Sequence, residues 1–351
     1  MTTASLTPSP ARIIEVRTSP HVHAPRSVDM IMRNVIYALL PIAVYGVLLF
    51  GWSALALIAT TTASCVMAEH LYCRLLHRES SVNDYSAAIT GLLLGLILPP
   101  GLPLWMGVLG GMIAILPGKM IFGGLGHNVF NPALVGRAFL QAAFPVAIST
   151  YCPPTLPHRF SGLMSSTLAF PLMKAAPDAY SGATPLAQAK FDHLVTDPWT
   201  LFMGLRAGSI GETCMPLIVL CGLYLIIRKM MDWRIPAAML LGAVALAAVF
   251  RIADPKIYPG ALFVLFSGGL MLGAMFMATD PVASPVTPRG MWIYGVLMGL
   301  VTVLIRFKGG LSEGVMYAIL LGNALSPLID NLTQPRTYGE RKKSLVKGVA
   351  Q

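Results

Sequence analysis

The sequence predicts an all-α integral membrane protein with about ten transmembrane helices, arranged as two inverted five-helix repeats in which some helices are broken. Three observations predict it. The 351 residues are 55% hydrophobic and only 11% charged, with a mean hydropathy of +0.69, whereas an ordinary soluble domain carries about 25% charged residues. The apolar residues fall in runs near the ~20 residues that cross a bilayer. The chain also echoes itself: Ile89–Ile115 resembles Phe266–Ile305, and "GHNVFNPALVGRAF" (Gly126–Phe139) resembles "EGVMYAILLGNALSPL" (Glu313–Leu328). An odd number of spans in each unit turns the second copy upside down in the membrane.

In chain order, residues 1–30 form a polar segment with Arg12, Arg17 and Arg26. They lack the apolar stretch of a signal peptide and are expected to remain as a cytoplasmic segment. Residues 31–148 form the first membrane repeat, with spans at 31–50, 52–72, 86–101, 103–122 and 128–148. Its third and fourth spans are parted by "LPPGLP" (Leu98–Pro103), and "GGLGHNVFNP" (Gly123–Pro132) interrupts the next pair. Proline removes a backbone donor and glycine unties the helix, so short or broken helices are expected there. Broken helices at membrane depth are tolerated only where they line a cavity or are buried in protein. Residues 149–198 form a loop, 199–330 a second membrane repeat with spans at 199–225, 236–253, 258–278, 290–306 and 311–330, and 331–351 a basic tail.

Lysine and arginine in short loops stay on the cytoplasmic side. Arg17, Arg26 and Arg33, "CRLLHRE" (Cys73–Glu79), Lys119, "RKMMDWR" (Arg228–Arg234) and "ERKKSLVK" (Glu340–Lys347) all become cytoplasmic if both termini are inside. The loop 149–198 then faces outward, the periplasm in a bacterium. Arg251, Lys256, Arg306 and Lys308 run against this count. The formal charge of +10 sits in clusters at the ends of apolar runs rather than along a helix face, which excludes a nucleic-acid partner. Cys65, Cys73, Cys152, Cys214 and Cys221 show no CxxC spacing. They are expected to pack, with no metal site and no iron–sulfur cluster held by this chain alone. "GVLGG" (Gly107–Gly111) lies inside a span and is no dinucleotide fingerprint.

One polar island stands out in the outward loop, "DAYSGATPLAQAK" (Asp178–Lys190). Read locally it starts a helix, with Thr184 as N-cap and Pro185 in the first helical position. It also matches D-x-x-S-G-A-T, through Asp178, Ser181, Gly182, Ala183 and Thr184. This is the acceptor pattern at which a flavin transferase joins FMN to threonine by a phosphodiester. The chemistry needs a hydroxyl acceptor and small neighbours that let the ring approach the backbone. The two readings are compatible, since a phosphate on Thr184 would lie at the amino end of a helix.

With this motif the chain resembles the NqrB/RnfD family, and within it the RnfD branch of the Rnf electron-transport complexes. The likeness is carried by "GLLLGLILPPGLPLW" (Gly91–Trp105), "GGLGHNVFNPALVGRAF" (Gly123–Phe139), "DAYSGATPLA" (Asp178–Ala187), "GSIGET" (Gly208–Thr213) and "FMATDPVASPVTPRG" (Phe276–Gly290). The chain departs at Ala187, where many flavinylation sites carry a second threonine. The resemblance implies a subunit of an ion-translocating oxidoreductase in the bacterial inner membrane. That complex couples electron transfer between ferredoxin and NAD to Na+ or H+ translocation. It implies covalent FMN on Thr184, the other Rnf subunits (A, B, C, E and G) as partners in the lipid, and NADH and ferredoxin bound by those partners. It extends to a second, non-covalent flavin, riboflavin, without assigning it a residue.

Other ionisable and amide groups at membrane depth are candidates for an ion or flavin pathway: Asn128, Asn131, Arg137, Glu212 and Asp280. For Arg137 and Glu212 a structural ion pair is the alternative. For the asparagines it is the satisfaction of orphan backbone groups. Asp84, Asp254, Glu313 and Asp330 read as solvated caps at helix ends. The rival function is a stand-alone inverted-repeat transporter or channel without redox chemistry, in which the island is only an outer loop.

Overall fold

The computed structural model describes residues 27–77, 81–157, 159–171, 182–255 and 257–335. Among these the regular structure is helical, with a single isolated β-bridge between Tyr151 and Gly182. Helix α1 (Val28–Phe50) starts at Ser27, whose hydroxyl accepts the Met30 N–H at 3.2 Å, and stops at Gly51. Gly51 turns the chain into α2 (Trp52–Leu75). Its φ of +78° and the Arg159 carbonyl 2.0 Å from a would-be Cβ leave room for no other residue. Helices α3 (Ser86–Ile97) and α4 (Leu104–Ile115) flank the proline-rich break, and α4 runs on as a wider turn to Met120. The first half closes with α5 (Pro132–Ala143) and the short α6 (Pro145–Ser149).

The second half enters through α7 (Pro185–Ala187), α8 (Pro198–Met203) and α9 (Met215–Ile227). Then come α10 (Arg234–Ala253), α11 (Ala261–Phe266), α12 (Leu270–Leu272), α13 (Pro288–Lys308) and α14 (Val315–Thr333). Helix α12 widens into a turn through Met277. Among the described residues five helices, α1, α2, α10, α13 and α14, are long and apolar enough to cross a membrane, and they make the chain a multi-pass membrane protein. As expected, several of the apolar runs are broken. The run 199–225 is two helices, α8 and α9, because Gly204 turns back at φ +79° with the Thr213 carbonyl where a Cβ would sit. The run 258–278 breaks between α11 and α12 at Gly268, φ +62°.

In lipid, helices gain nothing from hiding apolar surface from water, so close packing at small residues joins them. Gly91 brings α3 against α2, where a Cβ would come within 2.5 Å of the Thr62 Cα, and Thr61 donates to the Gly91 carbonyl at 3.0 Å. Gly299 does the same for α13 on α10, with the Met239 carbonyl 2.2 Å from a would-be Cβ. These tight seams hold the long helices around the broken ones. Leu96, Ile97, Leu98, Leu270 and Leu272 are all buried at the centre.

Candidate functional site

The loop that carries Thr184 is pinned on both sides of it. The Gly182 N–H donates to the Tyr151 carbonyl at 2.8 Å. Thr184 caps α7 as its sequence predicts, its hydroxyl accepting the Ala187 N–H at 3.2 Å, with Pro185 in the first helical position. Leu186 and Ala189 pack with Leu201 and Phe263. Lys190 donates to the Gly309 and Leu311 carbonyls past the end of α13, at 2.5 and 2.8 Å. Thr184 is only 5% exposed. It is buried because the loop is docked on α8, α11 and the end of α13. Asp178 and Ser181 of the motif lie outside the described residues.

Thr184 and Ala183 line a cavity of about 310 Å³ together with Tyr151, Arg137, Glu212 and Glu313. Arg137 sits on α5 and pairs with Glu313, just before α14, at 2.6 Å, and stands 3.9 Å from Glu212. Glu212 accepts from the Ser209 hydroxyl at 2.9 Å, and Arg206 donates to its backbone carbonyl at 3.0 Å. "GSIGET" is thus a folded-back tip: its Ile210 and Gly211 N–H groups bind the Leu98 and Leu96 carbonyls at the break after α3. Glu313, read as a solvated cap, is an ion-pair partner instead. Its partner lies 176 residues away, so no local pattern announces it. Sequence reasoning does not single out Tyr151, Arg206 or Ser209, although the last two lie in or beside the quoted "GSIGET".

Asn128, Asn131 and Asp280 meet elsewhere, in a second cavity of about 100 Å³ that also touches Ser86 and Lys119. Asn131 caps α5, accepting the Ala133 and Leu134 N–H groups at 3.1 and 3.4 Å, while its amide nitrogen reaches the Met277 carbonyl at 3.4 Å. Asn128 donates to the Phe130 carbonyl at 3.1 Å, and Asp280 accepts the Val282 N–H at 3.0 Å. Burial pushes the Asp280 carboxyl above the ordinary aspartate range, and the Val282 and Ala283 N–H groups pull against it. Lys119, expected as a loop cation marking the cytoplasmic side, is buried. Its ammonium bonds Glu69 at 2.7 Å and the Ser86 hydroxyl at 2.5 Å. The five pathway candidates therefore divide between two cavities separated by the turn after α12. Met275 and Phe276 line the smaller and Met277 the larger.

The family described as NQR2, RnfD, RnfE matches residues 15–339. The chain is 41% identical over 338 residues to the D subunit of the proton-translocating ferredoxin:NAD(+) oxidoreductase complex of Clostridium ljungdahlii, covering 94% of this chain and 97% of that protein. It is 42% identical over 333 residues to the D subunit of the Na(+)-translocating ferredoxin:NAD(+) oxidoreductase complex of Acetobacterium woodii, covering 94% and 96%. To the D subunit of the ion-translocating oxidoreductase complex of Stutzerimonas stutzeri it is 43% identical over 340 residues, covering 91% and 95%. One relative is named for protons and another for Na+ at nearly equal identity, so overall likeness does not select an ion. A match over almost the whole chain, with relatives of nearly equal length, makes this chain a member of the NQR2, RnfD, RnfE family.

Proposed function

We propose that the chain is the D-type membrane subunit of an Rnf-type ion-translocating oxidoreductase, carrying FMN on Thr184 through a phosphodiester. The complex couples electron transfer between ferredoxin and NAD to the movement of Na+ or H+. The observation that carries the reading is that the Thr184 side chain lines a cavity of about 310 Å³, the lower end of the ~300–1,000 Å³ range of ligand pockets. The residues fit the group. Gly182 and Ala183 leave the approach to the acceptor narrow in side-chain bulk. The Thr184 hydroxyl oxygen accepts from Ala187 and keeps its own proton to lose. Arg137 gives the cavity a buried cation. Bound FMN would supply one- and two-electron transfer. Thr184 would hold it, and Arg137, kept in place by Glu212 and Glu313, would offer guanidinium N–H groups at the cavity wall.

The remaining organisation belongs to the same proposal. Ten spans in two inverted repeats are supported by matched devices in the two halves. "GSIGET" meets the break after α3, and Asn131 meets the turn after α12. Both termini lie in the cytoplasm and residues 149–198 in the periplasm of a bacterial inner membrane. Residues 31–148 and 199–330 are the membrane repeats, and the other Rnf subunits hold NADH and ferredoxin. The test is denaturing electrophoresis of the purified protein, read by flavin fluorescence in its band. Wild type is expected to fluoresce, Thr184→Ser partly and Thr184→Ala not at all, with equal protein inserted. A fluorescent Thr184→Ala band would overturn the assignment.

A further inference from the structure

A third cavity, of about 60 Å³, lies beside the docked loop, lined by Lys190, His193, Tyr258, Arg306, Phe307 and Ser312 among others, and by no carboxylate. Arg306 is 2% exposed. Two of its nitrogens bind the Val264 and Ser267 carbonyls at the break between α11 and α12, at 2.8 and 3.0 Å, and its Nε has no hydrogen-bond partner. Among the described residues it forms no ion pair, although Glu212 and Glu313 act on it from a distance. A buried guanidinium held only by carbonyls is incompletely compensated, and an anion completes it. Burial likewise pulls the Lys190 ammonium below the ordinary lysine pKa. His193 is held at φ +54°, a conformation that costs energy for a residue with a Cβ.

We propose that this cavity binds the phosphate of an anionic phospholipid, with Arg306 and Lys190 supplying the positive field and His193 and Ser312 an N–H and a hydroxyl. Its size is about two waters' worth at ~30 Å³ each, enough for one oxyanion and too small for a nucleotide. Its surroundings are those of a membrane edge. Tyr258, Phe307 and Phe250 form an aromatic cluster with ring centroids 5.0 to 5.5 Å apart, and the Lys308 ammonium sits 5.6 Å over the Tyr258 ring. Ile252, Ile257 and Leu262 present exposed apolar surface beside it, where acyl chains can lie. Because Lys190 and His193 belong to the Thr184 loop, the lipid would clasp that loop to the end of α13. The inference needs no flavin and stands independently of the proposed function.

The test uses the full-length protein in nanodiscs of phosphatidylcholine, with or without phosphatidylglycerol, and scores retained lipid by native mass spectrometry and thermal stability by light scattering. Wild type is expected to retain one phosphatidylglycerol preferentially and to be stabilised by it. Lys190→Gln should bind it about tenfold more weakly, the loss of one charge-assisted hydrogen bond, and His193→Gln about threefold more weakly, the loss of the imidazole donor. His193→Gln serves as the variant that spares the α13 cap made by Lys190. Equal retention by wild type and both variants, or no preference over phosphatidylcholine, would overturn the site. Protection by inorganic phosphate as strong as that by the lipid would overturn the lipid as its source. Flavin fluorescence of the same samples is read separately, so failure of one assignment is not mistaken for failure of the other.

Discussion

Removing Arg137 tests the charge network that surrounds the Thr184 cavity. Its guanidinium and the Glu313 carboxylate approach to 2.6 Å, with side-chain exposures of 9% and 19%. At an effective dielectric of about 20, unit charges at that separation attract by about 6 kcal/mol, much of it offset by desolvation of both groups. Arg137→Met leaves Glu313 and the 3%-exposed Glu212 facing each other without their cation. The expected loss is about 3–5 kcal/mol, the range for breaking a buried pair from one side. Glu313→Met strands Arg137 less severely, because Glu212 remains nearby, and about 2–3 kcal/mol is expected. The double variant should lose about 2–3 kcal/mol less than the two single losses added, since each single change includes the cost of the abandoned partner. Unfolding by SDS in mixed micelles, followed by tryptophan fluorescence, gives the three differences. Additive losses within about 0.5 kcal/mol would refute the reasoning, because they would mean that the pair is not coupled in the folded protein.

Gly299→Leu forces a side chain against the Met239 carbonyl and should part α13 from α10, so that little folded protein is recovered by size-exclusion chromatography, whereas Gly310→Ala, in open space, should behave as wild type. For the smaller cavity, Asp280→Asn should alter the ions moved per electron in vesicles while leaving flavin on Thr184, and an unchanged ratio would remove Asp280 from the route. Because burial raises the Asp280 pKa, the folded state holds its proton more tightly than the unfolded chain, whose aspartate titrates near ~3.9. Wild type therefore loses stability as pH rises through the raised pKa, and Asp280→Asn should gain on it towards neutral pH and converge with it in acid. Asn131→Ala removes a cap and should cost about 1 kcal/mol, a stability control for any change it causes in ion movement.

Hydropathy alone reveals α1, α2, α10, α13 and α14, because each is a continuous apolar run with a glycine, proline or charged cluster at its ends. It fails at α8 and α9, where the short polar join 204–214, with only Arg206 and Glu212 charged, reads as an interruption within one apolar run. Only a left-handed glycine against the Thr213 carbonyl shows that the chain has turned back. The Thr184 cap is legible because all its parts lie within four residues. Its burial is not, because Leu201, Phe263 and the carbonyls bound by Lys190 come from elements far along the chain. Charges mislead for the same reason. Lys119 and Glu313 sit at the edges of apolar runs and look solvated, while their partners Glu69 and Arg137 are 50 and 176 residues away. The division of the pathway candidates between two cavities follows from the turn after α12, which has no sequence period of its own.

Under the proposed attachment of FMN to Thr184, the depth of this residue sets an order of events in the making of the protein. A transferase must bring a bulky nucleotide to the hydroxyl and withdraw, yet the finished loop is shut down by Leu186 in its apolar niche and by Lys190 on two carbonyls. Lifting it forfeits about 1.5–3 kcal/mol for the leucine and a similar amount for the ammonium. At about 4 kcal/mol the lifted form is on the order of one molecule in a thousand. Filling the acceptor is then chiefly a maturation step, completed on young chains before the loop settles. A settled chain would be filled only through its lifted form, on the order of a thousandfold more slowly, so the flavin-bearing fraction would record how early the proposed transferase arrived.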